Sequence, residues 1–293
     1  MYLRNYYLFL LTMYTIVLVI KKNTHIEGYD YNNIERFINI ALKSYKKYLN
    51  LDDVAEFIVI TPQNELEYIS SKIISEHPVN KWKWNFISED KLVDTRIPAG
   101  WGKQQTSKLA ISALIKTKEY LIIDDDTFLV KPFSYKDMFI DDKLIFNKAK
   151  IDFPFFYLWS SQLLEMDFDK VQYQPFHMGI TPQVFVTDIV KDIVRFLIIK
   201  YGNDKKWQIM IVNNKFTEYT LYWIWLIKND LITKYNTETD IAMYGNAVTE
   251  YSEDLPKIVA TNFTHNNKNY YFSFIQSSLK YKNDELIKLF NNF

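Results

Sequence analysis

Between Glu119 and Pro132 the chain reads EYLIIDDDTFLVKP, two short apolar runs separated by three consecutive carboxylates, Asp124, Asp125 and Asp126. The first run is rich in Ile and Leu and too short for a helix, which predicts a buried strand. The acids then fall at that strand's C-terminal end, and Lys131-Pro132 closes the second run, Phe128 to Val130. In open α/β sheets, ligands bind outside the carboxyl ends of the strands. Clustered carboxylate oxygens at such a place suit a hard divalent cation, Mg²⁺ or Mn²⁺, which can in turn hold a diphosphate. Strand alternation would put Asp124 and Asp126 on one side and Asp125 on the other. The plainer use of the same residues is a solvated corner or a helix cap, so the surrounding pattern has to decide.

Composition removes several alternatives. The 293 residues are 48% hydrophobic and 24% charged, enough apolar content for a globular core. Lys plus Arg and Asp plus Glu both number 35, so no general basic field exists to capture nucleic acid, and none is expected as a partner. Cys is absent, which excludes disulfides, thiolate zinc sites and a Cys nucleophile. Any metal must use oxygen or His ligands.

Upstream of the acids, strand and helix patterns alternate. Tyr6 to Ile20 is shorter than the ~20 residues a spanning helix needs. Its second half, Tyr14 to Ile20, is rich in β-branched residues and reads as the first strand of a parallel sheet. A stable membrane span is not expected and the location reads as cytoplasmic, with a signal or anchor over residues 6–20 left open. Asp30 is placed to cap a helix carrying Ile34, Phe37, Ile38, Ala41, Leu42 and Tyr45 on one face. Val54 to Ile60 predicts a strand, residues 65–75 a helix, residues 84–87 a strand, and Lys103 to Lys118 a helix leading into the acidic strand. Such alternation implies βαβ crossovers and a mainly parallel sheet flanked by helices.

After the acids the expected elements are a strand over Lys143 to Lys148, a helix over Phe155 to Met166 and a strand over His177 to Thr181. Helices over Gln183 to Tyr201 and Thr217 to Lys228, a strand over Ile258 to Phe263 and a C-terminal helix follow. No linker divides the chain. The expectation is a single α/β domain over residues 1–293, with a nucleotide-binding half at about 13–150 and an irregular acceptor-binding half at about 151–280.

Three motifs in this order carry a resemblance: Gly100-Trp101-Gly102-Lys103-Gln104-Gln105, Asp124-Asp125-Asp126-Thr127 and Thr217-Glu218-Tyr219. With the parallel βαβ half, they resemble glycosyltransferases of the GT-A type, and more closely a group of bacterial and viral glycosyltransferase-like sequences, from about Tyr14 to about Ser278. The resemblance implies a GT-A-like, Rossmann-like fold. It also implies transfer of a sugar from a nucleotide-sugar donor, a UDP-sugar first among them, to a hydroxyl acceptor, whether a glycan, a lipid or a protein-linked sugar, with Mn²⁺ or Mg²⁺ as cofactor.

The same resemblance suggests roles. Asp124 and Asp126 would hold the metal, which would stabilise charge on the departing diphosphate, and His265 in Thr264-His265-Asn266 stands where a further metal contact would be. Trp101, Lys103, Gln104, Lys108 and Asp125 would meet the donor, Trp101 by stacking and the lysines as point charges on phosphate. Glu218 would be the base that takes the acceptor's proton. Lys21-Lys22-Asn23 departs from the small hydroxyl residues usual at the end of the first strand in relatives. Two other readings of the acidic strand remain: a Mg²⁺-dependent phosphatase of the haloacid dehalogenase type, and a non-catalytic carbohydrate-binding protein on the same scaffold.

Overall fold

The strand β1, Tyr14–Val19, is buried at every position, as a strand covered on both faces must be. Its one polar side chain, Thr15, shares a 2.9 Å hydroxyl–hydroxyl hydrogen bond with Thr117. The computed structural model describes residues 13–26, 29–76, 82–149, 154–202, 205–264, 269–276, 279 and 281–292. From β1 the chain runs into α1, residues 33–48, then β2 (Val54–Thr61), α2 (Leu66–Glu76), β3 (Trp84–Ser88), α3 (Trp101–Ala110) and β4 (Glu119–Ile123). The alternation predicted for this half is present. Strand order is β3-β2-β1-β4, all parallel, with β1 paired to β4 from Tyr14 opposite Glu119 to Leu18 opposite Ile123.

Two details depart from expectation here. Asp30 lies in the short strand Tyr29–Asn32, and it is the Asn32 side chain that caps α1 by accepting from the Glu35 N–H at 3.1 Å. Within α1, Phe37–Leu42 is π-helical. The face carrying Ile34, Phe37, Ile38, Ala41, Leu42 and Tyr45 is buried in the main core as expected, and Ile40 joins a second, smaller core. The helix expected to reach Lys118 ends as a 3₁₀ turn over Ile111–Ala113.

The second half contains β5 (Thr127–Leu129), α4 (Pro154–Leu163), β6 (Gln183–Val186), α5 (Thr187–Tyr201), α6 (Lys206–Asn213) and α7 (Glu218–Lys228). It ends with β7 (Ala242–Tyr244), α8 (Leu255–Thr264), β8 (Tyr270–Phe274) and α9 (Asn283–Phe290). Strand β6 adds to the parallel sheet beside β4 but runs antiparallel to it, Gln183 opposite Ile122. The helix expected to begin at Gln183 therefore begins at Thr187, because the apolar, β-branched QVFV is sheet-like and the helical period starts only with Ile189, Val190, Ile193 and Leu197. Ile258 to Phe263, expected as a strand, lies in α8, where Leu255, Val259 and Asn262 recur on its buried face. The strand comes later, as β8. Lys143–Leu144 and Lys148–Ala149 are separate two-residue strands, and the strand expected over His177 to Thr181 is only His177–Met178.

A three-stranded sheet, β7-β8-β5, carries the smaller core with α8 and α9. Since β4 belongs to one sheet and β5 to the other, residues 124–126 join the two sheets. Among the described residues no helix is long and apolar enough to cross a membrane.

Candidate active site

The chain leaves β1 to build β2 and β3 on one side and returns to place β4 on the other. Crevices form where strand order reverses in this way, at the carboxyl ends of the two strands. A cleft of about 470 Å³ opens there, between Val19, Ile20 and Lys21 at the end of β1 and Asp124, Asp125 and Asp126 at the end of β4. Gly100, Trp101 and Gln104 of α3 form one rim, and Phe274 and Gln276 close the side toward the second sheet.

The aspartates occupy a tight turn in which the Thr127 N–H donates to the Asp124 carbonyl at 3.2 Å. A turn does not alternate as a strand does, and all three side chains line the cleft, Asp125 included. Their environments differ. Asp124 faces Lys108 Nζ at 2.9 Å through Oδ1 and accepts from the Thr181 hydroxyl at 2.8 Å through Oδ2. Asp125 is buried, and its Oδ2 finds no hydrogen-bond partner among the described residues. Burial, together with repulsion from Asp126 and Asp124 against the pull of Arg36, pushes the Asp125 carboxyl up to about 8.

Behind the cleft lies a buried polar network. Lys108 on α3 is fully buried and meets Glu218 Oε1 at 2.9 Å as well as Asp124. Burial alone would depress the Lys108 ammonium, but the two carboxylates outweigh it and hold it well above the ordinary lysine range. Glu218 opens α7, where Thr217 caps the helix by accepting from the Thr220 N–H at 2.9 Å. Its carboxyl has no solvent exposure, and burial raises it more than Lys108 lowers it. With its amide nitrogen turned to the Glu218 carboxylate, Gln105 accepts from the Trp101 indole N–H at 3.3 Å. On the far side the Thr181 hydroxyl also hydrogen-bonds the Tyr219 hydroxyl. One polar chain thus runs from Trp101 on the rim through Gln105, Glu218, Lys108 and Asp124 to Thr181 and Tyr219.

Three of the expected site residues are held by charged partners inside the protein. Lys103 is held by Glu89 at 2.8 Å and Asp90 at 3.1 Å and is buried, so it braces the start of α3 instead of facing a phosphate. Lys108 lines the cleft as a buried bridge between two carboxylates. Glu218 is fully buried with Lys108 as its counter-ion. Trp101, 49% exposed, and Gln104, whose amide donates to the Val19 carbonyl at 3.4 Å, do line the cleft. His265 lies outside the described residues. Asn262, in the glycosylation-type sequence Asn262-Phe263-Thr264, is buried in α8.

Sequence reasoning missed Thr181, which lines the same cleft as Lys21 at the end of the first strand. Thr181 carries no local signal, since it reaches Asp124 only because β6 pairs with β4. Lys21 was legible as a cation at the end of a predicted strand. The N-terminus of α3 was missed too: no side chain among the described residues caps it, and Gly100 before it has a φ of +145°, in the region that favours glycine.

Residues 13–293 match the model of a family described as a family of unknown function, DUF6492. The chain belongs to the DUF6492 family. No curated protein matches it in sequence. Among solved structures, the bifunctional glycosyltransferase WbbM superposes with a TM-score of 0.54 at 13% identity, over 96% of this chain and 50% of that one. This member of DUF6492 therefore spans half the length of the WbbM chain and shares its fold there, a GT-A-like α/β fold. Mouse xyloside xylosyltransferase 1 gives a TM-score of 0.47 at 11% identity, over 90% of this chain and 98% of that one. The mannosyltransferase Ktr4p of S. cerevisiae gives 0.47 at 13%, over 75% of this chain and 67% of that one.

Proposed function

We propose that this protein transfers a sugar from a nucleotide-sugar donor to a hydroxyl acceptor with the help of a divalent cation. The observation that carries the reading is the aspartate turn: three carboxylates at the switch point between β1 and β4, opening on one cleft beside the uncapped N-terminus of α3. That end of the helix has N–H groups without intrahelical acceptors and a positive dipole end, which suit a phosphate.

The residues present fit a cation. Among the described residues no three His, Asp or Glu side chains converge as a closed set of ligands. Mg²⁺, however, is commonly held by one or two carboxylates with the remaining positions on substrate phosphates and water. A buried carboxylate oxygen without a partner, Asp125 Oδ2, lies where such an ion would satisfy it. Asp126 and Asp125 are the residues we assign to it, with His265 retained as a further candidate. Asp124, engaged at both oxygens by Lys108 and Thr181, orients the turn. When bound, the cation would stabilise negative charge on the departing diphosphate.

The chain's own side chains do the rest. Trp101 offers an indole face at the rim to a base or sugar, Gln104 lies beside it, and Lys21 places a cation at the end of β1. Lys108 and Glu218 hold Asp124, the last turn of α3 and the first turn of α7 in register. The acceptor enters on the side of the second half. Turnover tests the reading: release of a nucleoside diphosphate from a panel of nucleotide sugars with Mn²⁺, lost on Asp126→Asn. A protein that binds nucleotide sugars with Mn²⁺ yet releases no diphosphate with any acceptor mixture would be a binding protein and not a transferase.

A further inference from the structure

Exposed apolar side chains gather beside the cleft. Trp101, Phe155, Leu158, Trp159 and Ile180 are each between 36% and 52% exposed. Trp101 and Ile180 line the cleft itself, and the α4 side chains lie next to Trp101. The Trp101 and Phe156 rings lie 5.4 Å apart, which seats the start of α4 at the cleft mouth, and Phe155 and Phe156 are 4.2 Å apart. Trp159 follows Phe155 and Phe156 by four and three residues, one turn further along the same side of the helix. Ile180 lines the cleft next to Thr181, the residue that holds Asp124. The other side of α4 is fixed in the fold: the Tyr157 hydroxyl donates to the Met178 carbonyl at 3.2 Å, and Ser160 shares a 2.8 Å hydroxyl–hydroxyl hydrogen bond with Thr220 of α7.

The chemistry of these side chains narrows what they can hold. PFFYLWSSQL, the whole of α4, carries no charged residue. Helices that lie on membranes combine an apolar face with Lys and Arg for anionic lipid, and these are missing. A phosphorylated or carboxylated acceptor would need cations that α4 does not supply. Flat aromatic faces alternating with aliphatic ones, uncharged and open to water at their edges, suit the C–H faces of sugar rings, whose hydroxyls remain solvated.

We infer that Trp101, Phe155, Trp159 and Ile180 form an acceptor subsite and that it takes a neutral glycan. The assignment rests on the glycosyl-transfer reading above, and it specifies the acceptor class which that reading leaves open. An aromatic face contributes an amount comparable to a factor of ten in binding, so Trp159→Ala weakens glycan binding about tenfold and Trp159→Phe restores most of it.

The test is capture of the full-length chain on an array of neutral, sialylated and uronate-containing oligosaccharides, followed by titration of the best binder into the wild type and both Trp159 variants. Capture by neutral glycans, with the loss and rescue just stated, supports the subsite. Capture by anionic glycans only, capture by none, or equal binding by Trp159→Ala overturns it. So does co-sedimentation with neutral phosphatidylcholine vesicles, which would make these side chains a lipid face. Melting of the wild type with nucleoside diphosphates and Mn²⁺ separates the two readings. A metal-dependent shift without glycan capture removes this inference and leaves the transferase standing, whereas glycan capture without the shift removes the transferase and the acceptor role with it.

Discussion

On the wall of the cleft Lys108 meets a carboxylate at 2.9 Å on each side, whereas on its floor Asp125 keeps a buried oxygen without a partner among the described residues. Both places gather charge away from water, but they resolve it differently. The wall satisfies its charges within the protein: Glu218 and Asp124 share one ammonium, and Gln105 and Thr181 complete the chain. A charge already satisfied sets geometry. On the floor, burial and the neighbouring Asp126 and Asp124 raise the Asp125 carboxyl against the pull of Arg36. One of its oxygens has no hydrogen-bond partner among the described residues, the feature that the proposed cation would use. A perturbed acid in a cleft is thus a candidate for chemistry only when its partners have been counted, which is why Glu218 and Asp125, both raised by burial, receive different roles.

The largest expected effect lies on the wall. Lys108→Met leaves two carboxylates without their cation, a loss of about 3–5 kcal/mol of stability. Glu218→Gln keeps the shape and leaves Lys108 paired with Asp124, so it costs less, about 1–2 kcal/mol. Urea unfolding of the two variants checks the order. If Glu218→Gln abolished turnover while stability and metal-dependent nucleotide binding stayed at wild-type values, Glu218 would be acting on the substrate and the division between wall and floor would fail.

His177 sharpens the comparison, because it is a buried titratable group with no counter-charge shown. Its Nδ1 finds no partner among the described residues, its ring packs edge-on against Tyr157 at 4.7 Å, and burial holds it at about 4. An unfolded His titrates near 6.5, so below that pH the unfolded chain binds a proton that the folded one refuses. The contribution is complete above about pH 6.5 and is lost as pH falls toward 4, on the order of 2 kcal/mol. Unfolding midpoints at pH 7 and 4.5 should fall further apart in the wild type than in His177→Gln. Equal separations would mean that another group carries the acid sensitivity.

The smallest effect belongs to the floor. Asp125→Asn removes one carboxylate from a crowded turn and should stabilise the ligand-free protein by about 1 kcal/mol while weakening the response to Mn²⁺. Calorimetry with and without Mn²⁺ reads both. Destabilisation without ligand would show that the floor is as internally satisfied as the wall.

How much of this was legible in the sequence follows from the range of the interactions involved. The parallel half was readable because its strands are continuous apolar runs and its helices keep a 3.6 period, both local signals. The aspartates were readable as the end of such a run. Beyond them, QVFV was hidden by its continuity with α5, and α8 was mistaken for a strand because IVATNF is rich in β-branched and aromatic residues, although its buried positions recur at helical spacing. The residues of the wall were named from the motifs, but their contacts with one another were not readable. Lys108, Asp124 and Glu218 are brought together from three separate elements by the packing of α3 and α7 beside β4, and a lysine followed by leucine gives no hint that it will be buried. Trp101 and Gln104 reached the cleft as the motif implied, whereas Lys103, one turn-position away, was drawn aside by Glu89 and Asp90.

The most direct test of the cation-bridged donor site is the melting midpoint of the full-length protein with each of a panel of nucleoside diphosphates, with Mn²⁺, and with both. The account predicts that one nucleotide stabilises the protein only in the presence of Mn²⁺, by about 2.7 kcal/mol at a hundredfold excess over Kd, and that Asp126→Asn removes the effect. Equal stabilisation by nucleotide without metal, or none by any nucleotide at any Mn²⁺ concentration, would contradict it.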